Sequence, residues 1–105
     1  MKIDCGVKIV NLEGKVITTE DKKTDIDVGY VLSDILSTRP TSFKPIKAMV
    51  LAQRLYKGGL VEVDEGDFSE LREIVEKDEK WVPLVRGQVL KYLASVDKKE
   101  EKAEK

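Results

Sequence analysis

From Val28 onward the apolar residues recur at intervals of three and four in four separate runs, and each run begins near a residue that helices favour at their ends. Val28, Val31, Leu32, Ile35 and Leu36 form the first face, with Asp25 or Asp27 placed to cap it. Pro40 breaks that helix, because it disfavours helical backbone in the residue before it. Pro45 suits the first turn of a second helix, which extends to Lys57 and aligns Ala48, Leu51, Ala52 and Leu55, with Ile46, Met49 and Val50 widening the stripe. So wide a stripe predicts that this is the central helix. Gly58 and Gly59 predict its end, through a glycine in the left-handed conformation. The third face, Phe68, Leu71, Ile74 and Val75, comes after Asp67, which has capping-box spacing with Glu70. The fourth opens at Pro83 and carries Val85, Val89, Tyr92, Leu93 and Val96, with Gly87 a weak point or a close-packing contact.

The segment before Val28 has a different period. Val7, Ile9, Val16 and Ile17 are β-branched and flank a turn-forming run at 11–15, where Gly14 supplies the positive φ that a tight reversal needs. A hairpin over 2–19 is expected, then a polar surface loop over 19–24. A short extended run at 60–63 is expected to pair with that hairpin. Residues 97–105 are charged apart from Ala103, which predicts a disordered tail unless the last helix continues through it. A chain of 105 residues is too short for two cores. The expectation is therefore α+β: an N-terminal β-hairpin followed by about four short helices around one core, in a globular domain spanning 1–96, with a tail at 97–105.

Composition narrows the chemistry. Lys and Arg total 19 against 20 Asp and Glu, so no long-range field attracts a phosphate backbone. Histidine is absent, which removes the commonest general base and the commonest metal ligand. Cys5 is the only cysteine, so a disulfide within the chain and a zinc site built on paired cysteines are both excluded. With no histidine to lower its pKa, Cys5 reads as a small strand residue. Glu62, Asp64, Glu65 and Asp67 around Gly66 resemble a cation loop in composition, but the acids are not at the alternate positions a calcium loop requires. They read as a helix-capping loop. Gly58-Gly59 comes after a helix, whereas phosphate cradles precede one. No catalytic residue, cofactor site or metal site is expected. Asp4 interrupts the apolar stretch a signal peptide would need, and no segment has the length of a membrane span; a cytoplasmic protein that does not enter a membrane is expected.

Two features are candidates for partner binding. Trp81 stands just before Pro83, where it staples the helix start to the core or anchors a partner. Lys44, Lys47, Arg54 and Lys57 lie along the second helix as a solvated basic face that phosphates can approach. The order of three segments, 31–36, then 47–56 with 61–75 behind it, and finally 81–90, resembles small uncharacterised proteins of tailed bacteriophages and prophages. That resemblance implies an accessory or morphogenesis protein acting through protein contacts, in a host cytoplasm, and assigns no active-site residue. The leading expectation is a non-enzymatic protein–protein interaction module that self-associates. A small regulator touching nucleic acid through the second helix is the alternative, although the link to the third helix is too long for a helix-turn-helix. An enzyme built on Asp25, Asp27 or Asp34 ranks third.

Overall fold

Four helices with identifiable start signals account for most of the computed structural model, which describes residues 1–20, 23–39 and 41–103, the last five by backbone alone. Helix α1 (Val28–Thr38) is capped by Asp27, whose carboxylate accepts the Tyr30 N–H at 2.8 Å. It ends at Thr38 with Arg39 extended, and Pro40 itself lies outside the described residues. Helix α2 (Pro45–Lys57) starts on its proline without a side-chain cap. Helix α3 (Glu65–Lys77) begins three residues earlier than the Asp67–Glu70 spacing predicts. Asp64 is its cap and accepts the Asp67 N–H at 2.7 Å, which leaves Asp67 in the first turn, where negative charge suits the helix dipole. Helix α4 (Pro83–Ala103) opens on its proline as expected.

The chain leaves α2 through Gly58 at φ 87°, ψ −168°. The φ is positive, as expected, but the extended ψ sends the chain straight out instead of curling it into a left-handed cap. Gly59 is next, at φ 77°, and leads into β2 (Leu60–Glu62). Strand β2 pairs antiparallel with β1 (Lys2–Asp4) in the register Lys2–Glu62, Ile3–Val61 and Asp4–Leu60. Two bonds extend the pairing: Val63 N–H donates to the Met1 carbonyl at 2.8 Å, and Cys5 N–H to the Gly59 carbonyl at 2.9 Å.

The expected reversal at 11–15 is present. Asn11 N–H donates to the Lys15 carbonyl, the Asn11 side-chain oxygen accepts from Glu13 and Lys15, and Gly14 sits at φ 86°. Its arms meet at the single bridge Val10–Val16. A third run joins them: Ile9 N–H donates to Ile26, Ile26 to Ile17 and Ile17 to Ile9, closing a ring of three backbone hydrogen bonds. Each run spends bonds on both others, so no two stay parallel long enough for a regular ladder. Gln88 of α4 fastens this unit by accepting from Val10 N–H at 2.9 Å and donating to the Val10 carbonyl at 2.6 Å.

The buried residues form one cluster, and α1 lies at its centre with seven of its eleven residues buried. This corrects the expectation for α2. Only Ala48, Leu51, Ala52 and Leu55 of α2 are buried, against α1, while Ile46, Met49 and Val50 face outward. One neighbouring helix covers one side of α2 and leaves the widened part of its stripe without cover. Phe68, Leu71 and Val75 of α3 and Val85, Val89, Leu93 and Val96 of α4 complete the core. Val96 is the last buried residue described, yet the backbone of α4 continues through Ala103, and Arg72 of α3 approaches Asp97 at 3.5 Å. The helical alternative for the tail therefore describes 97–103.

Candidate functional site

Helix α2 is apolar on two sides, and the second side is largely uncovered among the described residues. Ile46 is 75% exposed, Met49 53%, Val50 45% and Tyr56 66%. These four are half of the large apolar side chains exposed among the described residues. Their spacing of three, one and six residues places them on one long face opposite Ala48 and Leu55. Isolated exposed apolar residues need no explanation, but several aligned on one helix mark a surface that gains by being covered.

A groove flanks this face on each side. The first, of about 1050 Å³, lies between α1 and α2, with Tyr30, Phe43, Met49 and Tyr56 as apolar lining and Asp34 and Arg39 at its polar edge. The second, of about 980 Å³, separates α2 from β2 and the start of α3 and is bordered by Ile46, Val50, Lys47, Arg54, Asp64 and Asp67. Phe43 also lies under the Lys47 ammonium, 5.7 Å from ring centre to nitrogen.

The four basic residues of α2 do not act as a block. Lys47 Nζ lies 2.8 Å from Asp67 Oδ1, and this hydrogen bond is the main reason its pKa is raised. Arg54 donates to the Glu62 carbonyl at 3.2 Å. Both cations point into the second groove, where as many acids as bases are present: Lys44, Lys47 and Arg54 beside Glu62, Asp64 and Asp67. Lys57 lines the other groove. The geometry thus divides the basic face between two flanks and pairs Lys47 of the four with a carboxylate. The acidic loop is likewise occupied, since Asp64 caps α3 and Asp67 pairs with Lys47. Among the described residues no three carboxylates or cysteines are placed to hold a metal ion.

Trp81 is tied down on several sides. Its indole N–H donates to Asp34 Oδ2 at 3.0 Å, its backbone N–H to Asp78 Oδ2 at 2.8 Å, and its carbonyl accepts from Arg86 at 2.8 Å. Its ring meets Tyr30 edge to face at 6.2 Å, and Tyr30 stands 6.4 Å from Tyr56. Arg39 completes the cluster. Its Nε donates to Asp78 Oδ1 at 2.9 Å and Nη1 to Asp34 Oδ2 at 3.2 Å, with a further short contact to the Thr38 hydroxyl. The Asp78 side chain is 1% exposed. This clasp joins the end of α1, the end of α3 and the approach to α4, and holds the rim of the first groove.

Arg39, Asp78 and Gln88 carry no local signature in the sequence, because their partners are 39, 39 and 78 residues away. The outer face of α2 did leave one. Apolar residues run round more than half of that helix, more than a single packing contact covers.

Comparison of the chain with protein-family models, with curated proteins and with solved structures finds no match in any of the three. No helix among the described residues is long and apolar enough to cross a membrane.

Proposed function

We propose that this chain is a non-enzymatic protein-interaction module that works through the outer face of α2 and self-associates there. The observation that supports this most is the exposure of Ile46, Met49, Val50 and Tyr56 together on one rigid helix bordered by polar residues, which is the anatomy of an interface core and its rim. The clasp around Trp81 and the packing of α2 on α1 hold that face in place, so little ordering entropy is lost on binding. The phage or prophage setting and an accessory or morphogenesis role rest on the resemblance of segments 31–36, 47–56 with 61–75 behind it, and 81–90, and a cytoplasmic location rests on the lone Cys5 and the acid at Asp4. The nucleic-acid alternative draws less support, because Lys47 is paired with Asp67, Arg54 is hydrogen-bonded to the Glu62 carbonyl, and three acids line the second groove beside its three cations.

Sedimentation equilibrium tests the proposal. The wild-type protein is expected to exceed monomer mass at micromolar concentration, and Met49→Glu/Val50→Glu is expected to sediment as a monomer with an unchanged circular dichroism spectrum. A wild-type monomer throughout the concentration range refutes self-association.

A further inference from the structure

We propose that the outer edge of β2 is a second interaction site, which takes an extended segment of a partner protein as an added strand. This goes beyond the reading above and does not depend on the outer face of α2. The backbone bonds of the two-stranded sheet fix which groups point outward. Met1 exchanges bonds with Val63, and Cys5 N–H donates to the Gly59 carbonyl. By the alternation of antiparallel pairs, Ile3 and Val61 bond to each other, while Lys2, Asp4, Leu60 and Glu62 turn their N–H and C=O groups away from the partner strand. The two outer edges differ. On β1, α4 packs alongside and the Tyr92 hydroxyl accepts the outward Asp4 N–H at 2.7 Å. On β2, Arg54 donates to the Glu62 carbonyl at 3.2 Å, and among the described residues no partner meets Glu62 N–H, Leu60 N–H or the Leu60 carbonyl. Leu60 is 69% exposed, and the second groove runs beside Glu62 and Val63.

Hydrogen-bond geometry selects the occupant. Leu60 and Glu62 each present a donor and an acceptor, repeated ~6.8 Å apart along the strand. A helix has spent its backbone groups internally, whereas an extended backbone carries the same donor–acceptor pairs at the same spacing, which is how an open edge recruits a peptide. Side chains add a preference. Peptide residues opposite Leu60 and Glu62 share the exposed face of the sheet, so polar residues suit them. The residue between them shares the buried face of Val61 and Val63, and Val50, Leu51 and Val63 line the groove there, so an apolar residue suits it. Strand β1, on the other edge of β2, already has this pattern: Lys2 exposed, Ile3 buried and Asp4 exposed. Charge restricts the peptide little, because Lys44, Lys47 and Arg54 stand among Glu62, Asp64 and Asp67.

A pair of backbone-methylated peptides tests the site without altering the protein. The probe is a fluorescein-labelled peptide of alternating threonine and valine with a lysine at each end, titrated with the full chain by fluorescence anisotropy. Saturable binding is expected below about 1 mM. Methylating the threonine amides, which face β2, should weaken it by at least ~10-fold, while methylating the valine amides, which face away, should leave it unchanged. On the protein side, Glu62→Pro deletes one outward N–H at an edge position that tolerates proline, after an extended Val61, and should weaken binding similarly at an unchanged thermal midpoint. If that variant fails to fold, the two methylated peptides decide alone. No saturable binding up to about 1 mM, equal affinity of the two methylated peptides, or the reverse order overturns the proposal. Sedimentation, which tests the α2 face, bears on none of these results.

Discussion

Gly29 in α1 and Gly87 in α4 both lie within helices, and replacing each by alanine is expected to move stability in opposite directions. An alanine gains up to ~1 kcal/mol over glycine in a helix, because the glycine backbone loses more freedom on folding. Gly87, exposed in α4, has nothing within 4 Å of where its Cβ would stand. The gain is realised there, and Gly87→Ala should raise the melting temperature by roughly 4–8 °C per kcal/mol gained in a domain of this size. Gly29, buried in the first turn of α1, is different. A Cβ there would lie 2.4 Å from the Leu55 carbonyl oxygen and 2.6 Å from Cys5 Cβ. Neither atom can swing aside, since one belongs to the last turn of α2 and the other is rooted in the chain beyond β1. Restoring van der Waals separation moves α1 away from both by ~1 Å, and such overpacking costs ~1–3 kcal/mol. The same shift weakens the bond from Gly29 N–H to the Cys5 carbonyl, 3.2 Å long, worth ~1 kcal/mol. Against the propensity gain, a net loss of about 1–3 kcal/mol remains, or roughly 5–20 °C. Thermal unfolding by circular dichroism measures both variants at one protein concentration, because the proposed self-association would tie the midpoint to concentration. A Gly29→Ala variant as stable as the parent, or a destabilised Gly87→Ala, would refute the packing argument.

The clasp should be costly to break from one side. Arg39→Met leaves the Asp78 carboxylate buried beside no cation and is expected to lose ~3–5 kcal/mol in urea unfolding followed by Trp81 emission, with Arg39→Met/Asp78→Asn recovering part of it; a loss under ~1 kcal/mol would show that the ion pair is dispensable. Cys5 should respond to alkaline pH: burial first, then the charges of Asp27 and Asp4, pushes its thiol up from 9.0 to about 11. A raised folded pKa means that its contribution is complete below pH 9.0 and is lost as pH climbs through about 11, and Tyr92, raised chiefly by burial, acts in the same direction. Stability should therefore fall more between pH 8 and pH 10 in the parent than in Cys5→Ala, and equal pH dependence in the two would contradict the assignment.

The helices were legible because their determinants are local. Asp27, Pro45 and Pro83 act on residues within one turn, and apolar spacing needs only the helical period. The start of α3 lies three residues before the position the sequence suggests because Asp64 and Asp67 both offer a carboxylate, and only the folded backbone shows which N–H each can reach. The α+β class and the reversal at Gly14 come from the same short-range rules. Pairing across the chain was only outlined. That β1 takes β2 as its partner, and that Ile9, Ile17 and Ile26 close a ring, depends on where helices bring distant segments together. The same holds for the candidate site. The sequence determined that α2 has apolar residues on most of its circumference, but not which of them the core would use. Burial is a property of neighbours, and α1 covers Ala48, Leu51, Ala52 and Leu55 while Ile46, Met49 and Val50 stay exposed among the described residues. Arg39 and Asp78 illustrate the same limit: each is an ordinary charged residue at a helix end until tertiary structure brings them to 2.9 Å and shields them from water.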